Sequence, residues 1–309
     1  MINIQKKILI TWWNGFIGSN LVHKLVLLWA KNLHLILREN ANISRIESIK
    51  ASFQAHYISL TDKENLKKTI LSIRPDIVYH IAAAGTSVWK DSFSFEELYQ
   101  FNFFGTMNLI DACKEVWVEY FINTWTSSEY GEKEAPMKED DILEPNNDYG
   151  ISKAAWSLYA QYMGKKKNFP IFHFRLFAVY GTWEETRRLI PTLIDAYKKK
   201  ENPKLGSPNS VRDYILVDDV VDIYLSLDKL DSKSWWEIYN LWTGVQHKTS
   251  EVIALLNDIT GLSITPLYGS IKNKQTEPNS WLADIGKLQK IFWYNPTSLR
   301  EWLTKLLNN

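Results

Sequence analysis

Short runs of β-branched and other apolar residues alternate along the first half of the chain with longer stretches of helical period. The short runs are KILIT (7–11), LHLIL (33–37), AHYISL (55–60), DIVYHIA (76–82), EYFINT (119–124) and IFHFRLF (171–177). Helical patterns lie between them over 18–28, 62–73, 94–116 and 148–164. Strands separated by helices predict βαβ units, and six of them predict an α/β fold with a doubly wound parallel sheet of Rossmann type. A ligand is then expected at the carboxyl ends of the strands. After about residue 180 the elements shorten and turns multiply. Segments 181–210 and 243–309 read as a smaller C-terminal lobe, and RDYILVDDVVDIYLSL (212–227) as a return to the sheet.

The first strand runs into ILITWWNGFIGSNLVHKL (8–25). Thr11 ends the strand, Gly15 and Gly18 follow at the spacing of a T-G-x-x-G-x-x-G turn, and Phe16-Ile17 opens a helix. Gly15 lets the backbone approach a pyrophosphate, and Gly18 lets the helix lie close to the sheet. This makes 1–180 plus 211–242 a candidate dinucleotide-binding domain, with 181–210 plus 243–309 as the substrate-binding lobe. A G-x-x-G pair by itself also occurs in plain turns.

Two further clusters carry chemistry. In NNDYGISKAAW, Tyr149 and Lys153 stand four apart, on one face of a helix. An ammonium beside a phenol lowers the phenol's pKa from about 10 toward neutrality, as proton transfer requires. An ordinary surface Tyr/Lys pair has the same spacing. NTWTSSEYGE (123–132) places the hydroxyls of Thr126, Ser127 and Ser128 at the end of the fifth strand, where a polar turn would also fit.

Bulk properties change this picture little. The chain of 309 residues is 45% hydrophobic and 23% charged, as soluble globular proteins are. A net charge of +1 gives no field that would recruit nucleic acid or an anionic membrane. One cysteine, Cys113, allows no internal disulfide, and the amino-terminal apolar run is too short for a signal peptide or a membrane span. A cytoplasmic location and no metal are expected.

The order of these motifs resembles the extended short-chain dehydrogenase/reductases, specifically the NAD(P)-dependent nucleotide-sugar epimerases, dehydratases and 4-ketoreductases. The matching stretches are TWWNGFIG, DIVYHIAAAG (76–85), NFFGTMNLIDAC (102–113), TSSEYG (126–131), Tyr149-x-x-x-Lys153, RLFAVYG (175–181) and RDYILVDDVV (212–221). The resemblance implies a catalytic set of Thr126, Tyr149 and Lys153, with Lys153 also on the nicotinamide ribose. It implies a cofactor site of Thr11, Trp12, Gly15, Phe16, Ile17, Gly18, Arg38, Ala82 and Ala83, and a nucleotide-diphosphate sugar held by Ser127 and Arg212. Arg212 could instead form a structural pair with Asp218 or Asp219. Asn102 matches an asparagine on a dimer-facing helix, so a homodimer is expected. The acids that 4,6-dehydratases carry after this threonine are Ser127 and Ser128 here, and Glu129 is expected to point away. Epimerisation or 4-keto reduction is therefore favoured over dehydration. In LILREN, Arg38 replaces the expected ribose-binding acid, which favours NADP over NAD unless that arginine is simply solvated. Ser59 stands where an adenine-contacting aspartate is frequent.

One departure is systematic. Glycine usage of about 7% predicts roughly 22 glycines at this length, but the chain has 13, together with 14 tryptophans. Trp12, Trp125 and Trp242 occupy positions that are glycine-like in the family. Trp29 and Trp117 follow helical patterns, where a left-handed cap wants glycine. Trp293 and Trp302 look similar, and Trp13 and one of Trp235 and Trp236 join them. Trp89, Trp156 and Trp183 show no demand for glycine in the sequence. UGA means glycine in one variant bacterial code and tryptophan in another, so UGA codons for glycine account for the pattern. The rival reading is a degenerate, non-catalytic dinucleotide-binding regulator on the same fold.

Overall fold

The computed structural model describes residues 1–39, 41–82, 84, 93–134, 136–230, 235–271 and 280–307. The chain forms two compact units. The first comprises Met1–Gly131, Leu143–Leu176 and Val221–Tyr239. Its strands are β1 (Ile8–Thr11), β2 (Leu33–Leu37), β3 (Gln54–Tyr57), β4 (Ile77–His80), β5 (Tyr120–Thr126) and β6 (Ile171–Leu176). With β9 (Ile238–Leu241) they make one seven-stranded sheet in the order β3-β2-β1-β4-β5-β6-β9. The pairings of β1 with β2 and β4, of β2 with β3, and of β5 with β4 and β6 are parallel. This is the doubly wound, dinucleotide-binding order.

Strands β1, β4 and β6 are buried along their whole length, with Thr11, His80, His173 and Arg175 buried among apolar neighbours. Leu9, Val78, Phe121 and Ile171 point to one face of the sheet. There they pack with Leu66 and Ile70 of α2 (Lys63–Ile73), Leu109 and Cys113 of α4 (Gly105–Val116), and Trp156 and Ala160 of α5 (Asp148–Lys167). Tyr79 alternates to the other face and donates its hydroxyl to the Tyr224 carbonyl at 2.8 Å. Helix α1 (Phe16–Leu27) follows β1 across the glycine turn.

The pattern over 94–116 is not one helix. Ser94 caps α3 (Phe95–Tyr99) in a capping box with Glu97, and a π-turn over Gln100–Phe104 intervenes before α4. Single π-turns of this kind cluster at functional sites because they re-aim a side chain. Here the turn carries the buried Asn102.

The second unit comprises Glu132–Ile142, Phe177–Val220 and Asn240–Asn309. In it β8 (Val211–Leu216) lies between β7 (Ala178–Tyr180) and the antiparallel β10 (Gln246–Lys248). Its core joins Tyr180, Leu193, Tyr197, Leu216, Leu256 and Leu303. Its helices are α6 (Leu189–Lys199), α8 (Thr249–Thr260), α9 (Gly286–Phe292) and α10 (Leu299–Leu307). Among the described residues no helix is long and apolar enough to cross a membrane.

Candidate active site

The end of β1 opens onto a cavity of about 310 Å³ in the first unit, with Thr11, Trp12, Arg38, Ser59, Ala82 and Asn102 among its walls. It lies at the carboxyl edge of the sheet, where the doubly wound topology puts ligands. The backbone beside it is built for close approach. Gly15 is the N-cap of α1 with no side-chain cap, so the first N–H groups of the helix have no side-chain acceptor there. A Cβ at Gly18 would lie 2.6 Å from the Cα of Trp13 and 2.7 Å from the Trp12 carbonyl, so only glycine fits. A free helix N-terminus behind a glycine turn suits a pyrophosphate. The misfit is Trp12. Its indole lies beside Gly15, where a Cβ would come 3.1 Å from its Cδ1, and the Arg38 guanidinium sits 5.5 Å from its ring centre. Phe16 and Ile17 form the first turn of α1. Ala83 lies outside the described residues.

Arg38 does not stand alone at the end of β2. Glu39 also lines the cavity, so a carboxylate that could take a ribose diol is present after all, one residue later than the sequence reading looked for it.

The catalytic candidates come together in the same unit. Asn147 caps α5 by accepting from Gly150 N–H at 2.9 Å, which starts the helix in time to place Tyr149 and Lys153 one turn apart. The Lys153 ammonium lies 6.0 Å from the Tyr149 ring centre and 4.3 Å from that of Trp125. Thr126 ends β5, accepts from Ser128 N–H at 3.2 Å and donates to Ser128 Oγ at 3.3 Å, and its hydroxyl pulls the pKa of the Tyr149 phenol downward. Ser127 is buried beside it.

The electrostatics differ from the expectation that Lys153 holds Tyr149 near neutrality. Burial pushes the Tyr149 phenol upward, against the pull of its Thr126 hydrogen bond, and the negative Glu129 adds to the rise. Burial also lowers Lys153 to about 8, with Glu129 opposing. Desolvation dominates at both groups, so the resting phenol is a proton donor.

Glu129 is more than a residue turned away. It is fully buried, accepts from Ser157 Oγ at 2.6 Å and is ion-paired to Arg175 at 3.2 Å. Ser157 sits one turn beyond Lys153, so the carboxylate ties α5 to β6. Those bonds occupy Oε2, while Oε1 is buried without a hydrogen-bond partner among the described residues, and burial raises the carboxyl's pKa against the pull of Arg175 and Ser157.

The sequence reading also missed a buried polar chain. Thr11 Oγ1 meets His80 Nδ1 at 2.8 Å, and His80 Nε2 meets Thr106 Oγ1 at 2.8 Å. Thr106 donates to the Asn102 carbonyl at 2.8 Å, Asn102 Nδ2 to Ser152 Oγ at 3.3 Å, and Ser152 to the Tyr149 carbonyl at 2.8 Å. Burial lowers His80 to about 3, so it stays neutral and bridges two hydroxyls. The chain joins the end of β1 to the helix of Tyr149 and Lys153. Asn102 also holds Ala84 through both its N–H and its carbonyl. The spacing of Asn102 and Thr106, four apart, was the available signal.

Arg212 belongs to the second unit, on β8, where it donates to the Val211 carbonyl at 2.6 Å and lies 6.0 Å over the Trp281 ring. Asp219 in that unit accepts from the N–H and hydroxyl of Thr297, each at 2.8 Å.

The Rossmann-type sheet, with a glycine turn after β1 and Thr126, Tyr149 and Lys153 in the same unit, has the build of a dinucleotide-binding fold, and comparison with known proteins agrees. The chain belongs to the NAD dependent epimerase/dehydratase family, whose model matches residues 8–241. The UDP-glucose 4-epimerase of Mycoplasma pneumoniae is 28% identical over 331 aligned positions, covering 98% of this chain and 96% of that protein. The fold is similar to that of UDP-glucose 4-epimerase from Thermotoga maritima, solved with UDP-glucose, with TM-score 0.85, 25% identity and coverage of 98% and 97%. It is equally similar to a Tyr-to-Phe variant of UDP-glucuronic acid 4-epimerase from Bacillus cereus, solved with a 4-fluoro substrate analogue and NAD. There the TM-score is 0.85, the identity 26% and the coverage 98% of each chain.

Proposed function

We propose that this protein is an NAD(P)-dependent nucleotide-sugar 4-epimerase, or a 4-ketoreductase of the same class, with a UDP-hexose as first candidate substrate. The observation that carries this reading is the placement of Tyr149 and the buried Lys153 one turn apart on α5, the ammonium 6.0 Å from the Tyr149 ring centre, with Thr126 at the end of β5 acting on that phenol. Thr11, Gly15, Gly18, Arg38 and Ala82 would hold the dinucleotide, with its pyrophosphate over the uncapped start of α1. When bound, the nicotinamide supplies hydride acceptance and return. From its resting phenol form Tyr149 would give its proton to a C4 ketone oxygen, and as the phenolate so formed it would take the proton of a C4 hydroxyl. Thr126 would favour the phenolate by donating its hydroxyl to it. Lys153, as ammonium, stabilises the phenolate each time it forms. Ser127 and Ser128 stand where a dehydration step would need acids, and Glu129 is tied through Oε2 to Ser157 and Arg175, which favours epimerisation or reduction.

Arg38 suits a 2′-phosphate and Glu39 a ribose diol, so we propose that both cofactors bind and that Arg38 tilts the balance toward NADP. A homodimer through α3, α4 and α5 is supported by the exposed Phe95, Phe104, Ile151, Leu158 and Tyr162 on that helical face. Light scattering of the purified protein should give twice the chain mass; a monomer at micromolar concentration contradicts it. The function itself is tested by incubating the protein with UDP-glucose, UDP-glucuronic acid and UDP-N-acetylglucosamine plus each cofactor. The expected product is the C4 epimer of one of them. Conversion of none, including their 4-keto forms with reduced cofactor, would leave the non-catalytic reading.

A further inference from the structure

Nine non-glycine residues have a positive φ among the described residues, and six are tryptophan: Trp12 (52°), Trp29 (64°), Trp117 (54°), Trp183 (68°), Trp236 (72°) and Trp293 (52°). A residue filling 14 of 309 positions should supply less than one of the nine. The left-handed region is where glycine belongs, and a bulky residue there is strained.

Each place has its own reason for glycine. Trp29 is the C′ residue of a Schellman motif, its N–H bonded to Val26 at 2.9 Å and that of Ala30 to Leu25 at 3.0 Å. Trp117 and Trp293 end α4 and α9 in the same left-handed conformation that Gly261 (67°) adopts after α8. Trp183 is the third residue of a turn closed by Glu184 N–H on the Gly181 carbonyl at 3.1 Å, and a type II turn puts glycine at that position. Its sequence surroundings showed no such demand, and the backbone corrects that reading. Trp236 passes so close to Gly164 that a Cβ at 164 would collide with Trp236 Cα and Cβ. The side chains offer nothing in exchange at the helix ends: Trp29, Trp117 and Trp293 are 80%, 78% and 87% exposed.

We infer that the cell inserts glycine at positions 12, 29, 117, 183, 236 and 293, the corresponding codons being UGA read as glycine. The backbone makes no such demand at Trp125 in β5, at Trp302 in α10 or at Trp242, none of which has a positive φ. At position 12 the consequence is chemical. Without the indole, the turn beside Gly15 and Arg38 opens toward the cavity, and the pyrophosphate cradle is complete. The inference rests on backbone geometry and holds whether or not the protein is a catalyst.

Sequencing the gene and tandem mass spectrometry of the protein from its own cells test it directly. UGA codons with glycine in the peptides at the six positions are expected; UGG codons, or tryptophan in those peptides, overturn it. A second arm compares the tryptophan-bearing chain with one carrying glycine at the six positions, read by urea unfolding. Strain at each position should change the folding equilibrium about tenfold in favour of glycine. Equal midpoints would contradict the inference even if the assay for epimerisation were silent. Loss of epimerisation with a stabilised glycine chain would count against the enzymatic reading alone.

Discussion

Helix α5 and the glycine turn before α1 sit on the same sheet and are built to different standards. In α5, Asn147 caps the start, Asp148 lies in the first turn, Lys165, Lys166 and Lys167 lie in the last, and the helix ends on a left-handed Asn168. Every local choice agrees with the fold. In α1, Gly15 starts the helix uncapped, the turn before it contains a left-handed Trp12, and a left-handed Trp29 follows its end. The difference shows where the chain departs from its fold. The side chains that would perform chemistry are in register and hydrogen-bonded, and the departures fall on backbone positions that want glycine. Drift in a protein released from function would not spare the first set and collect one residue type in the second.

That contrast can be broken most forcefully at the six tryptophans. Strain of about 1–3 kcal/mol at each rivals a total stability of about 5–15 kcal/mol. The tryptophan-bearing chain should therefore unfold at much lower urea than the glycine chain, and Trp12→Gly alone should tighten NAD binding without matching that stability gain. A Trp12→Gly variant with unchanged NAD affinity would detach the turn from the cofactor.

Smaller effects sharpen the other half of the comparison. Glu129→Gln removes the charge that opposes Arg175 in a fully buried pair, a loss of about 3–5 kcal/mol visible as a lower urea midpoint. The same change removes the field that raises Lys153, so the pKa of Lys153 falls further below about 8. Activity that needs the ammonium is lost as pH rises through that value, and the alkaline limb of kcat should move to lower pH in the variant. A limb that stays in place would confine Glu129 to a structural role. Arg38→Ala should weaken NADP about tenfold relative to NAD, from loss of a charge-assisted hydrogen bond. An unchanged ratio would leave the cofactor choice to Glu39.

Much of this was legible in the sequence. All six strand runs of the first half became strands, the central ones because a sheet buried on both faces favours apolar segments, and Tyr149 and Lys153 share a face because helical period fixes their spacing. What escaped had identifiable causes. The π-turn over Gln100–Phe104 keeps helical composition, so no pattern marked the break that buries Asn102. Glu129 was misread because β5 ends at Thr126 and a 3₁₀ turn over Ser127–Glu129 swings the carboxylate inward. The rise in the Tyr149 pKa depends on tertiary burial, which spacing does not reveal. The turn at Trp183 was hidden because Gly-Thr-Trp-Glu carries its glycine at the first position, not the third.

The central claim is that Tyr149 carries the proton at the sugar's C4. The direct measurement is turnover of the converted UDP-sugar by Tyr149→Phe in the glycine-bearing chain, beside its binding of the same sugar and of NAD. The phenyl ring keeps the shape and loses the proton, so kcat should fall about 10²–10⁴-fold while both affinities hold. Full turnover by that variant would contradict the claim and move the proton transfer to another group.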